Sequence, residues 1–347
     1  MTEARAEQGQ EYLVDAERCF RCGACSSVAP ELFAMSERGA IVVRQPETTA
    51  EGVSAEAARL GCPGLAIGIR GKGDVAPLGS SRRAADGPLY TSLFDEAERV
   101  RWRMSDIPWD AIERERVSPA FVRFVREMAV SELTTFSATR RFLTEMADDP
   151  DFTSWVAIWF YEETKHPDAL LRWLAAFGVT IDVRTVMRGR VSAPFMRSRT
   201  GTLVMNILSE LFASAGYQDL ARSSKEPVLA RITRLLAGDE ARHGASFFRF
   251  AEHTISLSKT PDLERLQALK VLYYWVQAAD HVEHPVSQFH EKIKADPELS
   301  GVLREIGADH SPVLSRACRL VGALVGRRLD GPDDVLPALR EMSREGH

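Results

Sequence analysis

Trp155 to Leu171 reads WVAIWFYEETKHPDALL. Within it Glu163-Thr-Lys-His166 forms a Glu-x-x-His pair. Positions i and i+3 of a helix share a face, so a carboxylate and an imidazole project together. Trp155, Ile158, Trp159, Leu170 and Trp173 make this a face to be buried. Burying both groups unpaired is unfavourable, and a metal ion satisfies both. A single such pair arises readily by chance. A second stands at Glu240-Ala-Arg-His243, in LLAGDEARHGASFFRF. Two further glutamates occupy apolar helical contexts, Glu132 in FVREMAVSELTTFSATRRFL and Glu210 in VMNILSELFASAG. The order Glu, Glu-x-x-His, Glu, Glu-x-x-His is the donor set with which four helices hold two iron or manganese ions.

A second metal signature lies at the other end of the chain. Cys19-Phe-Arg-Cys22-Gly-Ala-Cys25 is followed by Cys62-Pro63. Thiolates spaced by two residues reach three corners of one iron–sulfur cube, and a remote Cys-Pro closes the fourth. Zinc is the alternative, but its sites usually pair two Cys-x-x-Cys knuckles. Cys318, alone in SRACRLVGALVG, reads as a small buried hydrophobe.

The 347 residues carry a net charge of −5, which makes no electrostatic case for nucleic acid or a membrane surface. No apolar run is long enough to span a bilayer. The polar, acidic start MTEARAEQGQEYLVDAE lacks a signal peptide's apolar core, so a cytoplasmic location is expected. Residues 1–70 are expected to form the cluster unit, with a short strand at AIVVR (Ala40 to Arg44) and a helix at SAEAARLG (Ser54 to Gly61). Residues 71–90, rich in Gly, Pro, Ser and Ala, read as a linker. Its Gly71-Lys-Gly73 has no helix after it and is no nucleotide loop. Residues 91–347 read as helical throughout. One helix is expected from Ser118-Pro119 to the Asp148-Asp-Pro-Asp turn, and another opens at Lys225-Glu-Pro227.

The first unit resembles single-cluster bacterial ferredoxins. The two-cluster pattern would place a cysteine before Pro30, where Ala29 stands, and Cys22 is present, which favours [4Fe–4S]. Loss of one iron in air would leave [3Fe–4S]. The helical part resembles the soluble diiron desaturases of acyl carrier protein thioesters. Thr153-Ser-Trp155, Glu162-Glu-x-x-His166 followed by Asp168 and Leu170, Asp239-Glu-x-Arg-His243, and the spacing from Glu210 to Ala221-Arg222 carry that resemblance, over roughly residues 100 to 290. It implies an all-α ferritin-like four-helix bundle with extra C-terminal helices. It also implies a homodimer, two iron ions on Glu132, Glu163, His166, Glu210, Glu240 and His243, and Asp239 near them. The family often has a threonine one turn after the third glutamate; here Ala213 stands there, with Ser214 beside it.

The expected function is an O2-dependent diiron oxidase that desaturates or hydroxylates an aliphatic acyl substrate, borne by acyl carrier protein in the family. The fused iron–sulfur unit would deliver electrons taken from an upstream reductase. A peroxide-reducing, rubrerythrin-like electron-transfer protein and an iron-storage bundle are the competing readings. Trp159, Trp102 and Trp109 are candidates for electron passage or for plain core packing. Glu162 is expected to point away from the ligands. His281-Val-Glu-His284 lacks partner carboxylates and reads as structural. The basic run Arg184, Arg188, Arg190, Arg197 and Arg199 fits either a solvated loop or a dock for an acidic carrier.

Overall fold

A computed structural model of the chain describes residues 11–70, 88–189, 198–277, 285–307 and 311–345. Most of the expected linker, Arg190, Arg197 and the His281–His284 pair lie outside these residues.

The N-terminal unit contains β1 (Glu11–Val14), α1 (Ala24–Val28), β2 (Phe33–Ser36), β3 (Gly39–Val42), α2 (Thr49–Leu60) and β4 (Ile67–Arg70). β1 pairs antiparallel with β4, bringing Glu11 opposite Arg70, and β2 with β3 forms a separate antiparallel hairpin. Tyr12, Val28, Leu32, Phe33, Ala55 and Ile67 fill a small core between them. α2 begins earlier than the sequence reading placed it. A capping box of Thr48 and Glu51 satisfies the first free amides and recruits the turn that precedes Ser54.

The remainder is helical. α3 (Leu89–Val100) leads through three short 3-10 turns to α4 (Pro119–Glu132), α5 (Thr135–Glu145), α6 (Pro150–Ala175), α7 (Val183–Gly189), α8 (Arg199–Ser223) and α9 (Pro227–Leu257). α10 (Pro261–Gln277), α11 (Pro285–Ala295), α12 (Pro297–Ile306), α13 (Ser311–Val325) and α14 (Val335–Glu345) follow. α4 packs on α6, α6 on α9, and α9 along α8. Proline at the first turn and a capping side chain start α4 (Ser118), α6 (Asp149) and α9 (Glu226), because that position needs no amide donor. Glu226 is fully buried, caps α9 and accepts a hydrogen bond from Trp173 Nε1 at 2.7 Å. No described helix is long and apolar enough to cross a membrane.

One expected helix is two. The chain breaks at Leu133–Thr134, directly after Glu132, where the hydroxyls of Thr134 and Thr135 donate back to the carbonyls of Ser131 and Glu132. Such back-bonding competes with the helical ladder. α6 runs through Pro167, which has no amide to donate to the Glu163 carbonyl one turn earlier. α7 makes part of the basic run helical, and within it Arg199 pairs with Asp148.

Candidate metal centres

Glu132 ends α4, Glu163 and His166 sit mid-α6, Glu210 mid-α8, and Glu240 and His243 mid-α9. All but the partly buried Glu132 are nearly sealed from solvent. Their ligand atoms form two groups that could each hold a cation: Glu132, Glu163 and His166; and Glu163, Glu210, Glu240 and His243. Glu163 belongs to both.

The distances assign each carboxylate. Glu163 places Oε1 2.9 Å from His243 Nδ1 and Oε2 3.9 Å from His166 Nδ1. Glu240 places Oε1 3.3 Å from His166 Nδ1 and Oε2 3.7 Å from His243 Nδ1. Both therefore straddle the two imidazoles, whose ring centres are 6.0 Å apart. Glu132 approaches only His166, at 3.8 Å, and Glu210 only His243, at 3.9 Å. The arrangement suits two ions, each with one histidine and one terminal glutamate, bridged by Glu163 and Glu240.

The pocket is chemically unsatisfied as it stands. Glu163 Oε1, His166 Nδ1 and His243 Nδ1 are buried and make no hydrogen bond. Burial, followed by repulsion from Glu240, pushes the carboxyls of Glu163 and Glu210 upward. Burial opposes the imidazolium at both histidines, yet the surrounding carboxylates outweigh it and raise both pKa values well above the ordinary histidine value. This donor set fits divalent iron or manganese, which take mixed carboxylate and imidazole ligands.

The opposite edge of each imidazole is held by a neighbouring carboxylate. His166 Nε2 lies 3.3 Å from Asp239 Oδ2, and His243 Nε2 lies 3.0 Å from Glu162 Oε2. Each acid immediately precedes a Glu-x-x-His and grips the histidine of the other helix. Arg242 ties the pair together, donating to Glu162 at 2.9 Å and to Asp239 at 2.8 Å. Lys165 Nζ stands 3.7 Å from Asp239, and Trp102 Nε1 donates to Asp239 at 2.7 Å. Burial works against ionisation of Asp239 and Glu162, but Arg242 and the histidines hold both carboxyls below their ordinary range. These cations serve Asp239 and Glu162, and leave the charge of the inner glutamates to be balanced by bound metal.

Glu162 thus faces the site, contrary to its sequence reading. Its signal was its placement, matching that of Asp239. Thr135 and Tyr217 were also missed: Thr135 Oγ1 donates to Glu163 Oε2 at 3.1 Å, and the Tyr217 hydroxyl donates to Glu132. Ser214 is occupied with the Ala237 carbonyl at 2.9 Å, so the hydroxyl nearest Glu163 comes from α5 rather than from α8. Trp159 Nε1 donates to Glu210 at 3.2 Å, whereas Trp109 is tied to the Met104 carbonyl at 2.8 Å, among the 3-10 turns.

Two measurements follow from this geometry. Asp239→Asn should weaken Fe(II) or Mn(II) binding by about 10–100-fold, the usual effect of losing a carboxylate behind a ligating histidine; titration calorimetry reads it. Metal must displace the protons that the raised histidines hold, so binding should release protons and weaken as pH falls. The sign for stability is the reverse. Without metal, the imidazolium contacts are fully present below the ordinary histidine pKa and are lost as pH rises through the raised value. Mn(II) should therefore raise the melting temperature more at alkaline than at mildly acidic pH.

At the N-terminal end, Cys19, Cys22, Cys25 and Cys62 line one cavity, together with Gly23, Gly64 and Ala66. The Ala40 amide approaches Cys19 Sγ at 3.4 Å and the Ala66 amide approaches Cys62 Sγ at 3.3 Å, as donors toward thiolate or bound sulfur. Burial pushes the free thiols up, Cys22 to about 12. Gly23 carries a φ of 73°, a left-handed turn that lets Cys22 and Cys25 face one point. Residues 14–69 match the family model of the 4Fe-4S single cluster domain of ferredoxin I. The N-terminal unit is a single-cluster 4Fe-4S ferredoxin domain. No curated protein and no solved structure matches the chain. The ferredoxin domain gives the chain one-electron redox capacity, set by cluster type, charge and hydrogen bonds to sulfur. Cys318 takes no part in it and is buried in the apolar core of α13.

Proposed function

We propose that the helical region is a ferritin-like diiron oxidase that uses O2 to desaturate or hydroxylate an aliphatic acyl chain, with electrons from its own ferredoxin domain. The observation that carries this reading is the pair of overlapping ligand groups sharing Glu163, set against an apolar cavity. That cavity, of about 120 Å³, is lined by Phe124, Met128, Ala213, Leu220, Leu303 and Ile306, with Glu132 and Tyr217 on its wall. An aliphatic chain held there lies against a ligand of the His166 ion.

When bound, the two irons supply the electrons and the oxidising power toward dioxygen. The chain's own groups do the rest. Glu163 and Glu240 hold the ions as a pair. Asp239 and Glu162 fix the ring orientation of the histidines. Thr135 keeps a hydroxyl proton at Glu163 Oε2, and Tyr217 keeps one at Glu132, both within reach of the reacting centre. The apolar wall excludes water and aligns the substrate.

Anaerobic iron loading, followed by O2 consumption with acyl-carrier-protein thioesters of graded chain length, tests the reading. Substrate-dependent O2 uptake with a desaturated or hydroxylated product is the expected result. Ala213→Trp should fill the cavity and lower kcat/KM by roughly 10–100-fold without loss of iron. Rapid hydrogen peroxide reduction with no organic substrate, or a mineral-filled multi-subunit cage, would contradict the reading.

A further inference from the structure

The ferredoxin domain does not merely neighbour the helices; it is docked against the helix that carries Glu240. α2 ends at Gly61, and a methyl group added there would lie 3.1 Å from Ala241 Cβ, closer than ordinary contact. Gly61 precedes Cys62, and Ala241 follows Glu240. A second contact lies one turn back on each helix, where a methyl at Gly238 would meet Ala57 Cβ at 3.9 Å. Cys22 and Glu240 also line one small cavity of about 20 Å³, with Pro63, Ser214, Gly244 and Arg316. Four cysteines on one side and Glu240 on the other are thus separated by a single layer of small residues.

α13 fixes this docking. Arg316 packs on Gly23 and donates to Ser27, while Arg319 Nε donates to the Arg21 carbonyl at 2.6 Å. Arg21 in turn pairs with Asp330 at 2.9 Å. The rings of Phe20 and Phe248 meet at 5.5 Å. The loop that carries Cys19, Cys22 and Cys25 is therefore held from two helices, α9 and α13.

We propose that the cluster is the immediate electron donor to the metal pair of the same chain, and that electrons cross at the Gly61–Ala241 contact, from the Cys62 turn to the backbone of Glu240. The inference rests on the diiron reading above. In each crossing the reduced cluster, [4Fe–4S]1+, loses one electron to become [4Fe–4S]2+, and one Fe(III) of the pair becomes Fe(II). Two crossings reset the pair, and a low-potential one-electron carrier outside the chain re-reduces the cluster. The path is covalent except for one van der Waals step, and that step is made short by glycine facing alanine. Trp102, bonded to Asp239 two residues before Ala241 on α9, reaches the site through His166 and not through this contact.

The test uses the full chain with its cluster intact. Mn(II) is first loaded into the bundle of dithionite-reduced protein, and the spin relaxation of the cluster is read by electron paramagnetic resonance. The expected result is faster cluster relaxation when Mn(II) is bound, at all protein concentrations. Mn(II) that does not bind overturns the diiron reading and the inference with it; Mn(II) that binds without changing relaxation overturns the inference alone. Iron-loaded protein then gives the rate. After rapid reduction of the cluster, its reoxidation by the Fe(III) pair should be first order and independent of protein concentration. A displacement of about 1 Å can cost a positioned reaction up to about 100-fold, so Gly61→Val should slow this step at least about tenfold. Gly52→Val, on the same helix with nothing within 4 Å of the added group, should not. Sulfide and iron analysis confirms that each variant retains its cluster. A rate that rises with protein concentration, or equal rates in the Gly61 and Gly52 variants, would overturn the proposal.

Discussion

Glu163→Ala is expected to cost the helical region both metal ions, whereas Glu210→Ala should cost it one. Glu163 alone belongs to both ligand groups, and its two oxygens face different histidines. Glu210 approaches His243 only. The stability of the metal-free protein should respond in the opposite sense. Glu163 is buried beside Glu240, and both burial and that neighbour disfavour its charge. Removing it relieves a desolvation penalty, so metal-free Glu163→Ala should unfold no more easily than the parent. Metal is what distinguishes them. Mn(II) or Fe(II) at about 100 times its dissociation constant stabilises a folded protein by about 2.7 kcal/mol, and the variant should show none of that gain. Parallel thermal melts with and without Mn(II) check it. A metal-dependent rise in the variant equal to that of the parent would remove Glu163 from the ligand set. The cluster's visible spectrum should be the same in both proteins.

Arg242→Met is expected to be the most damaging substitution to the fold. Arg242 is buried and bonded to both Glu162 and Asp239, which are themselves buried. Methionine keeps much of the aliphatic volume and removes the charge. Two carboxylates then remain in the interior with only Lys165 near, at 3.7 Å from Asp239. Breaking a buried ion pair from one side costs about 3–5 kcal/mol, against a typical total of about 5–15 kcal/mol. The loss should be largest near neutral pH. Asp239 and Glu162 have depressed folded pKa values, so their contribution is present above the ordinary carboxyl range and lost as pH falls through the depressed values. Denaturant titration of the metal-free protein at neutral and acid pH reads the effect. An unchanged midpoint would mean that the two acids are held by something other than Arg242.

The inner ligands were legible because helical spacing is local. Glu163 with His166, and Glu240 with His243, can be placed on common faces from three-residue spacing alone. Their pairing with Glu132 and Glu210 could be read from order, since each helix contributes one set. Contacts made across helices could not. Glu162 looked as if it turned away because adjacent residues on a helix point in different directions; it does leave the face of Glu163, and meets the far edge of His243 instead. Tyr217 lies two turns beyond Glu210, and only the packing of α8 near the end of α4 brings it to Glu132. The break after Glu132 was hidden by an apolar pattern that runs on through Phe136 and Phe142, while the hydroxyls of two consecutive threonines ended the helix. In the ferredoxin domain, cysteine spacing declared the cluster, but the docking face was invisible: Gly61, Ala57 and Ala241 carry no chemical signature, only small size.

The claim on which the rest depends is that one chain holds an iron–sulfur cluster and a second, dinuclear iron site. Iron and acid-labile sulfide analysis of anaerobically prepared protein, with Mössbauer spectra before and after O2, addresses it directly. About six iron and four sulfide per chain, with a dinuclear component that oxidises in O2 while the cluster persists, is the predicted result. About four iron and four sulfide, with the glutamate and histidine pocket still empty after Fe(II) reconstitution, would contradict it.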